Sequence, residues 1–204
     1  MTSVLDLNYK KQCNQHSDIY EHLPTLYEYG KFCNHITECG VRGVVSSYAF
    51  ANALKDNSQN KLVQVDLDTN DNVKRFQREC EAENVNVMFH QESDLICPLE
   101  QTDLLFIDTW HIYGHLKREL NRWHSYVNKY IIMHDTTVDE WLGETIRNNW
   151  NPEQQSKQTG IPVDEITKGL WPAIDEFLKS HPEWVIKKRY YNNNGLTILE
   201  RIIQ

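Results

Sequence analysis

The chain has 204 residues, of which 40% are hydrophobic and 25% charged, and these proportions are ordinary for a single globular domain. The formal net charge of -8 argues against a nucleic-acid partner, because phosphate binding needs a basic surface. No apolar run reaches the roughly 18 residues of a membrane-spanning helix, so we expect no membrane span and no signal peptide.

The cysteines are odd in number and show no C-x-x-C spacing, which favours free thiols over a disulfide framework or a zinc site. Free thiols are typical of a reducing compartment, so we expect a cytoplasmic protein. The five residues are Cys13, Cys33, Cys39, Cys80 and Cys97.

The first 34 residues are predicted to be a helical segment that precedes the first strand. Asp18 and Glu21 have the spacing of a capping box, which predicts a helix over residues 19–29. Pro24 lies inside that helix, so we expect it to break or kink the helix there.

Apolar runs of strand length then alternate with helical patterns, which is typical of a mostly parallel sheet with helices on both faces. Predicted strands cover residues 35–39, 62–67, 85–90, 104–108 and 130–134, and predicted helices cover 44–55, 71–83, 113–126 and 168–180. Residues 151–160 are rich in Gln, Asn and Ser and are predicted to form a mobile loop or lid.

Two β-rich segments, 184–191 and 196–203, close the chain. The Asn194-Gly195 pair between them is a strong signal for an antiparallel hairpin. Five parallel strands and this hairpin predict a seven-stranded, mostly parallel α/β sheet. We expect one domain over residues 1–204, made of the helical segment (1–34), a cofactor-binding core (35–135) and a lid, substrate segment and hairpin (136–204).

The turn after the first predicted strand contains Gly40 and Gly43, which would let the backbone approach a ligand closely. A tight turn without a ligand would use the same two glycines. The dinucleotide fingerprint G-x-G-x-x-G is broken here, which disfavours a pyrophosphate. Glu38, just before the turn, would repel a pyrophosphate and fits a cationic ligand such as a sulfonium with an amino-acid tail.

Acidic and polar residues follow the next two predicted strands. Asp66 is placed to accept hydrogen bonds from the hydroxyls of a ribose, whereas Asp68 is expected to cap the following helix. Glu92, Ser93 and Asp94 stand where the edge of an adenine would lie. These residues predict a nucleoside site along the carboxyl ends of the strands.

Two strongly apolar runs each end in a carboxylate, at Asp108 and Asp135. If the two strands are neighbours, their tips lie about 5 Å apart and the two charges repel unless a cation lies between them. A hard divalent ion such as Mg²⁺, held by oxygen ligands, resolves this conflict. His134 offers an additional nitrogen ligand, or else packs behind the pair.

His111 lies three residues after Asp108, just beyond the strand tip. A histidine titrates near neutral pH and is the commonest general base for a hydroxyl nucleophile. We therefore predict His111 and Asp108 as catalytic residues. Thr136 and Trp141 follow Asp135 closely and are predicted to contact the substrate, with the Trp141 ring stacking on a sugar or packing into the protein.

Five segments carry a family likeness. They resemble class I S-adenosylmethionine (SAM)-dependent methyltransferases, and within that class the metal-dependent sugar O-methyltransferases related to the cephalosporin-hydroxylase-like group. The likeness covers nearly the whole chain, and its D-x-x-H and late H-D elements are its most specific parts. The segments are residues 18–23, 38–43, 108–113, 134–135 and 195–199.

The resemblance implies a Rossmann-like fold and SAM as cofactor, with Asp108 and Asp135 as metal ligands and His111 as general base. The family often has an acidic residue where His134 stands, so one oxygen ligand is missing here. The chain is also similar to methyltransferase domains of chlorovirus glycan-synthesis proteins. That likeness implies a rhamnose hydroxyl in a glycan as acceptor, glycosyltransferase domains as fusion or complex partners, and the host cytoplasm as location.

Two other functions compete with methyl transfer. A nicotinamide (NAD)-dependent sugar-nucleotide enzyme would share the acidic end of the second strand, and Tyr113 and Lys117 have its Y-x-x-x-K spacing. The broken glycine fingerprint argues against that enzyme. A non-catalytic module that binds a nucleoside within a glycan-assembly complex would keep the cofactor site without transferring a methyl group.

Overall fold

Seven strands form a single sheet in the computed structural model, which describes residues 3–202. The strands are β1 (His35–Cys39), β2 (Lys61–Asp66), β3 (Val87–Gln91), β4 (Thr102–Ile107), β5 (Val127–His134), β6 (Trp184–Tyr190) and β7 (Leu196–Arg201). Their order is β3-β2-β1-β4-β5-β7-β6. The first five strands are parallel, and β7 runs antiparallel to both β5 and β6. The predicted seven-stranded sheet with a C-terminal hairpin is confirmed.

Helices flank the sheet on both faces. They are α1 (Val4–Asn14), α2 (Leu23–Gly30), α3 (Val45–Leu54), α4 (Asp71–Ala82), α5 (Tyr113–Trp123), α6 (Glu144–Arg147), α7 (Pro152–Thr159), α8 (Val163–Ile166) and α9 (Trp171–Ser180). Helices α1 to α4 pack into one hydrophobic cluster, and α5 and α9 pack into another. Within residues 3–202, no helix combines the length and the apolar character that crossing a membrane requires.

Strand β4 shows why the sheet is covered on both sides. All six of its residues are buried. Successive side chains of a strand point to opposite faces, so Leu104 and Phe106 enter the cluster of α1 to α4, while Leu105 and Ile107 enter the cluster of α5 and α9. A strand buried on both faces requires a continuous apolar run. The run ends where the sheet ends, and the next residue is Asp108.

The order of the strands reverses between β1 and β4, because the chain passes from β1 to β2 and β3 and then returns to β4 on the other side of β1. Ligands in open α/β sheets bind beyond the carboxyl ends of the strands at this point. The turn after β1 and the tips of β4 and β5 therefore face one common region.

The turn between β6 and β7 has the predicted Asn-Gly character. Asn193, Asn194 and Gly195 adopt positive φ angles of 45°, 67° and 92°, which asparagine and glycine tolerate best. An added Cβ on Gly195 would lie 2.0 Å from the hydroxyl oxygen of Thr137. Glycine is therefore required where the hairpin meets the segment that follows β5.

The N-terminal helical segment differs from the prediction in its boundaries. A 3₁₀ turn covers Tyr20–His22 and α2 begins at Leu23, so the predicted single helix over 19–29 is wrong. Pro24 is the second residue of α2 and does not break it, because a proline in the first helical turn costs no hydrogen bond. Helix α1, which begins after a Ser3 cap, is absent from the prediction as a separate element.

The predicted mobile loop over 151–160 is instead helix α7. Asn151 caps it by accepting the Gln154 N–H, Pro152 occupies its first turn, and Gly160 ends it with a φ of 75°. These are ordinary start and stop signals of a helix. The polar composition concealed them, because none of the α7 residues is buried and the segment lacks an apolar stripe.

Candidate active site

The turn after β1 is held by the end of β2. Gly40 has a φ of 86°, and an added Cβ would lie 1.9 Å from the carbonyl oxygen of Asp108, so no side chain fits between the turn and the tip of β4. The Asp66 carboxylate accepts hydrogen bonds from the Val41 and Arg42 N–H groups at 2.8 and 2.9 Å. Asp66, the predicted ribose ligand, thus fixes the shape of the turn.

Two neighbouring predictions turn out differently. Gly43 lies in the turn, but an added Cβ there would contact only the Val45 side chain, so glycine is not required sterically. The predicted helix cap at Asp68 is wrong, because the Asn70 side chain accepts the first N–H groups of α4. Asp68 instead donates its backbone N–H to the Asp66 carboxylate at 3.1 Å.

Glu38 lies behind the turn and is fully buried. Its carboxylate accepts hydrogen bonds from the hydroxyls of Ser46 and Ser47, at 2.6 and 2.7 Å, and from the Gln64 amide at 2.9 Å. Burial raises the pKa of Glu38 to about 7, although these three donors favour the charged form. The structure therefore places Glu38 where it joins α3 and β2 to the turn, and not as a direct ligand of a sulfonium.

The tips of β4 and β5 bring together two carboxylates and two imidazoles, which we call the site cluster (Asp108, His111, His134 and Asp135). Ligand atoms of Asp108, His111 and Asp135 all lie within 4.8 Å of one another. The two strands pair in parallel, with Ile107 opposite Met133, so their carboxyl ends coincide. Asp135 has a φ of 56°, which turns the chain sharply at the end of β5.

His111 is held from both sides of its ring. Its Nε2 atom lies 3.3 Å from Asp108 Oδ1 and 3.1 Å from Asp135 Oδ2. Its Nδ1 atom lies 3.2 Å from Oδ2 of the fully buried Asp139. Arg147 donates two hydrogen bonds to Asp139, at 2.7 and 2.9 Å. Sequence reasoning missed Asp139 and Arg147, because nothing in their spacing marks them as inward-facing.

His134 is held by the hairpin turn. Its Nε2 atom lies 3.2 Å from the Asn193 carbonyl oxygen, and its Nδ1 atom lies 3.4 Å from Asp108 Oδ1 and 3.1 Å from Asp135 Oδ2. The side chain is 1% exposed, so the ring is buried with one nitrogen facing the carboxylates. His134 therefore belongs to the site cluster and does not pack behind it.

The charges of the site cluster shift its pKa values strongly. Burial lowers the pKa of His134, but Asp108 and Asp135 outweigh burial and raise it to about 10. Burial also lowers the pKa of His111, but the surrounding carboxylates outweigh burial and hold that pKa well above its ordinary value. Burial raises the pKa of Asp108, but the two histidines outweigh it and hold that pKa well below its usual range. The two carboxylates thus draw positive charge into the cluster, as imidazole protons or as a metal ion.

A divalent cation fits these residues. Two carboxylates this close repel each other unless positive charge lies between them. Nδ1 of His134 has no hydrogen-bond partner within residues 3–202, which leaves it available as a ligand. Asp108, Asp135 and His134 would hold the ion. Mg²⁺ prefers oxygen ligands alone, and one atom of this set is nitrogen.

Three members of the site cluster, Asp108, His111 and Asp135, and the glycine turn line one cavity of about 260 Å³, and His134 lies behind them. Residues 40–43 form one wall, and Asp108, His111 and Asp135 form another. Asp18 and Glu144 also line it, which the sequence did not suggest. Asp18 was predicted to start a helix but instead forms an ion pair with Arg42 at 2.8 Å. A close-fitting polar pocket thus connects the turn with the two carboxylates.

The residues predicted to meet an adenine do not line this cavity. Both oxygens of the buried Asp94 carboxylate lie 3.2 Å from His115 Nε2 on α5. Ser93 uses its hydroxyl to accept the Leu95 N–H, and Glu92 lies 3.5 Å from His90. Their assignment to the cofactor stays a prediction, in which Asp94 would have to exchange its histidine partner for the base.

The two predicted substrate residues, Trp141 and Thr136, lie in different surroundings. Trp141 is 61% exposed and does not line the cavity, so its ring is free to contact an acceptor at the surface. Thr136 is fully buried and accepts a hydrogen bond from the Thr197 hydroxyl at 2.9 Å, so it faces β7 and not a substrate. The sharp turn at Asp135 explains this difference, because it ends the alternation of side chains along β5.

Tyr113 and Lys117, the Y-x-x-x-K pair, lie on α5 and bond to each other. Lys117 Nζ donates to the Tyr113 hydroxyl at 2.6 Å, and that hydroxyl donates to Glu176 on α9 at 2.8 Å. Neither residue lines the cavity. The pair joins two helices, so it gives no support to a nicotinamide-dependent enzyme.

A protein family described as a methyltransferase domain matches residues 37–136, which run from β1 to the residue after Asp135. This stretch contains the glycine turn, Asp66 and the whole site cluster. Residues 37–136 are therefore similar to this methyltransferase domain. No curated protein matches the chain.

Solved structures share the fold of this methyltransferase domain. The O-methyltransferase TomG of Streptomyces achromogenes, involved in tomaymycin synthesis and solved with SAM, is 12% identical over all of this chain and 91% of that chain, with a TM-score of 0.65. An O-methyltransferase of Bacillus cereus, solved with S-adenosylhomocysteine (SAH), is 15% identical over 98% and 91% of the two chains, with a TM-score of 0.62.

A third structure, the SAH-bound methyltransferase PaMTH1 of Podospora anserina, is 14% identical over all of this chain and 89% of that chain, with a TM-score of 0.57. At such low identities, the likeness establishes the fold alone. The alignments cover nearly all of this chain, so the shared fold extends beyond residues 37–136. The acceptor has to be argued from the residues of the site.

Proposed function

We propose that this chain transfers the methyl group of SAM to a sugar hydroxyl, with a divalent cation and His111 assisting. One observation carries the proposal: the glycine turn, where the amino-acid tail of SAM would bind, lines the same cavity as Asp108, His111 and Asp135. The methyltransferase match over residues 37–136 supports the cofactor, and paired carboxylates beside a histidine support an oxygen nucleophile.

The reaction is a direct displacement. The acceptor oxygen attacks the sulfonium methyl group, an O–CH₃ bond forms, and the S–CH₃ bond breaks with its electron pair returning to sulfur as the thioether of SAH. The hydroxyl proton would go to Nε2 of His111 in its neutral form. Asp139 holds Nδ1 of that ring, so Nε2 faces the two carboxylates.

The cation would be held by Asp108, Asp135 and His134. When bound, it supplies Lewis acidity that lowers the pKa of the acceptor hydroxyl. The protein residues orient the acceptor beside His111 and exclude bulk water, since Asp135 is 3% exposed and the His111 side chain 15%.

A sugar acceptor agrees with the polar lining of the cavity and with two exposed tryptophans on the segment after β5. Glu144 offers a carboxylate that accepts hydrogen bonds from sugar hydroxyls. Trp141 and Trp150, 61% and 46% exposed, lie on the segment after β5 and offer faces for a sugar ring. Rhamnose in a glycan, delivered by a glycosyltransferase partner in the cytoplasm, is the specific form of the proposal, and the sequence resemblance supports it.

Calorimetry tests the cofactor assignment directly. We expect SAH to bind with micromolar affinity and NAD⁺ to give no heat, because the glycine fingerprint for a pyrophosphate is broken. Binding of NAD⁺ alone would overturn the cofactor assignment.

A screen of mono- and oligosaccharides with SAM, followed by mass spectrometry, tests the acceptor. We expect a mass gain of one CH₂ on a deoxyhexose-containing glycan. Transfer to catechols or to thiols, with none to sugars, would overturn the acceptor class and leave the fold and cofactor assignments intact. SAH binding without transfer to any acceptor would favour a non-catalytic module.

A further inference from the structure

His134 is one of the two histidines in the site cluster. One of its ring nitrogens, Nδ1, faces only the carboxylates of that cluster within the described residues. Its Nε2 atom donates its N–H to the Asn193 carbonyl oxygen, 3.2 Å away. In the neutral ring that a bound cation would require, Nδ1 then carries the lone pair, and it faces Asp108 Oδ1 and Asp135 Oδ2 at 3.4 and 3.1 Å. Carboxylate oxygens offer it no proton, and Nδ1 finds no other partner in the described part of the chain.

The hairpin turn fixes this orientation of the ring. The Asn193 side chain donates to the Ser17 carbonyl and accepts the Glu21 N–H, both at 3.0 Å, so the turn is tied to the N-terminal segment. Its carbonyl therefore stays directed at His134 Nε2. Histidines that bind metals almost always donate their second ring N–H to a backbone carbonyl or a carboxylate, and His134 has this arrangement.

The distances suit a shared metal ion. Around an ion whose ligands lie at about 2.1 Å, neighbouring ligand atoms are about 3.0–3.4 Å apart in octahedral or tetrahedral geometry. The distances from His134 Nδ1 to the two carboxylates fall in this range. A charge-assisted hydrogen bond between an imidazolium and a carboxylate would be shorter, at about 2.7–2.9 Å.

We propose that the cation of this site is a first-row transition ion such as Mn²⁺, Fe²⁺ or Co²⁺, and not Mg²⁺, with His134 Nδ1 as a ligand beside Asp108 and Asp135. Imidazole nitrogen suits transition ions, whereas Mg²⁺ selects carboxylate, carbonyl and water oxygens. The inference deepens the proposed function and rests on it for the position of the ion, but it concerns only the identity of the ion.

Metal titrations of the purified, chelator-treated chain test the inference. Calorimetry with MnCl₂, CoCl₂ and MgCl₂ should give wild-type affinities for Mn²⁺ and Co²⁺ at least about tenfold above that for Mg²⁺. Because many sites prefer Co²⁺ to some degree, the deciding quantity is the change in the Co²⁺:Mg²⁺ affinity ratio in His134→Asp. That variant restores an oxygen ligand, so the ratio should fall by about tenfold or more.

His22→Asn is the matched control. His22 is also a buried histidine, and its Nε2 atom lies 3.0 Å from the Asn192 carbonyl oxygen, but its ring does not face the carboxylates. We expect its Co²⁺:Mg²⁺ ratio to equal that of the wild type. His134→Asn, which keeps a neutral side chain, serves if His134→Asp does not fold, and the folding of each variant is checked by circular dichroism.

Pulsed electron paramagnetic resonance of the Mn²⁺-loaded wild type gives a readout without any variant. We expect modulation from a directly bound imidazole ¹⁴N. Absence of this modulation, an unchanged ion ratio in His134→Asp, or no binding of any of the three ions would overturn the inference. SAH binding on the same samples separates this outcome from failure of the proposed function, which SAH binding tests independently.

Discussion

Residues 3–202 contain two clusters of carboxylates and histidines, and the two behave differently. One is the site cluster at the tips of β4 and β5. The other, which we call the inner cluster, consists of Asp94, His115 and Glu119, whose ligand atoms also lie within 4.8 Å of one another. In composition the two are nearly alike, and both contain a histidine three or four residues from an acid.

Access to the cavity and the number of internal partners separate the two clusters. The inner cluster does not line the cavity, and its groups satisfy one another: His115 bonds to Asp94, and the Thr109 hydroxyl donates to Glu119 at 2.8 Å. Burial, and then the Asp94 charge, raise the pKa of Glu119 to about 8, so this carboxyl keeps its proton at neutral pH. A proton balances the inner cluster, whereas the carboxylates of Asp108 and Asp135 in the site cluster line a cavity.

The first prediction removes a ligand of the site cluster. Asp108→Asn should lower methyl transfer by about 10³-fold or more, because it removes charge that holds the cation and the protonated base. The measurement is the initial rate of methyl transfer, by mass spectrometry, to the acceptor found in the sugar screen. Asp103→Asn is the matched control, since Asp103 lies at the opposite end of the same strand and accepts the Asn34 N–H.

The control variant should keep its rate within about threefold, although it loses some stability with that hydrogen bond. Equal losses in both variants would mean that the effect comes from the strand and not from the cluster.

The second prediction tests whether His111 acts as a general base or as a metal ligand. His111→Ala should lower kcat by about 10²–10⁴-fold while SAH affinity and metal affinity stay within about threefold of wild type. The measurements are kcat by the same assay and calorimetric titration with SAH and Mn²⁺. Loss of metal binding in His111→Ala would instead make His111 a ligand, and full turnover would remove it from the mechanism.

The sequence made the sheet and half of the site predictable for physical reasons. Apolar runs that end abruptly in a carboxylate mark strand tips, and parallel neighbours place their tips together, so Asp108 and Asp135 were foreseeable as a pair. His111 followed from its position three residues later. The hairpin followed from Asn194-Gly195, because few other residues accept those backbone angles.

The rest of the site depends on the direction of side chains outside regular strands. Thr136 was predicted to contact the substrate because it follows Asp135 closely, but its side chain bonds to Thr197 on β7 after the left-handed turn at Asp135. Glu38 and Asp94 were assigned to the cofactor, but each is buried with partners from distant segments of the chain, Gln64 and His115. No local pattern reports such partners, so these contacts required the structure.

The third prediction concerns Asp139, which the sequence did not reveal. Asp139→Asn should lower kcat by about 10-fold or more with little change in KM, because Nδ1 of His111 loses the charge that orients its ring and stabilises its protonated form. Steady-state kinetics measure this split. Asp164→Asn, an exposed acid on α8, is the control. A change in KM alone would indicate a role in acceptor binding and not in holding His111.

The fourth prediction, which has the smallest expected effect, tests whether Glu119 of the inner cluster carries a proton in the folded chain. Glu119 has a pKa of about 8 in the folded chain, above the ordinary value of 4.5, so the folded state binds the proton more tightly than the unfolded state. Between these two pH values the unfolded chain carries fewer protons, so stability falls as the pH rises and levels off above about pH 8. Glu119→Gln keeps a neutral group that can accept from Thr109, and it should remove this slope.

We therefore expect the melting temperature of Glu119→Gln, followed by circular dichroism, to gain on the wild type progressively from pH 5 to pH 8. A difference of about 1–3 kcal/mol at pH 8 corresponds to several degrees in a chain of this size. Glu81→Gln, an exposed change on α4, should show no such trend. If the two variants follow parallel curves, Glu119 is ionised in the folded chain, and no proton on this carboxyl balances the inner cluster.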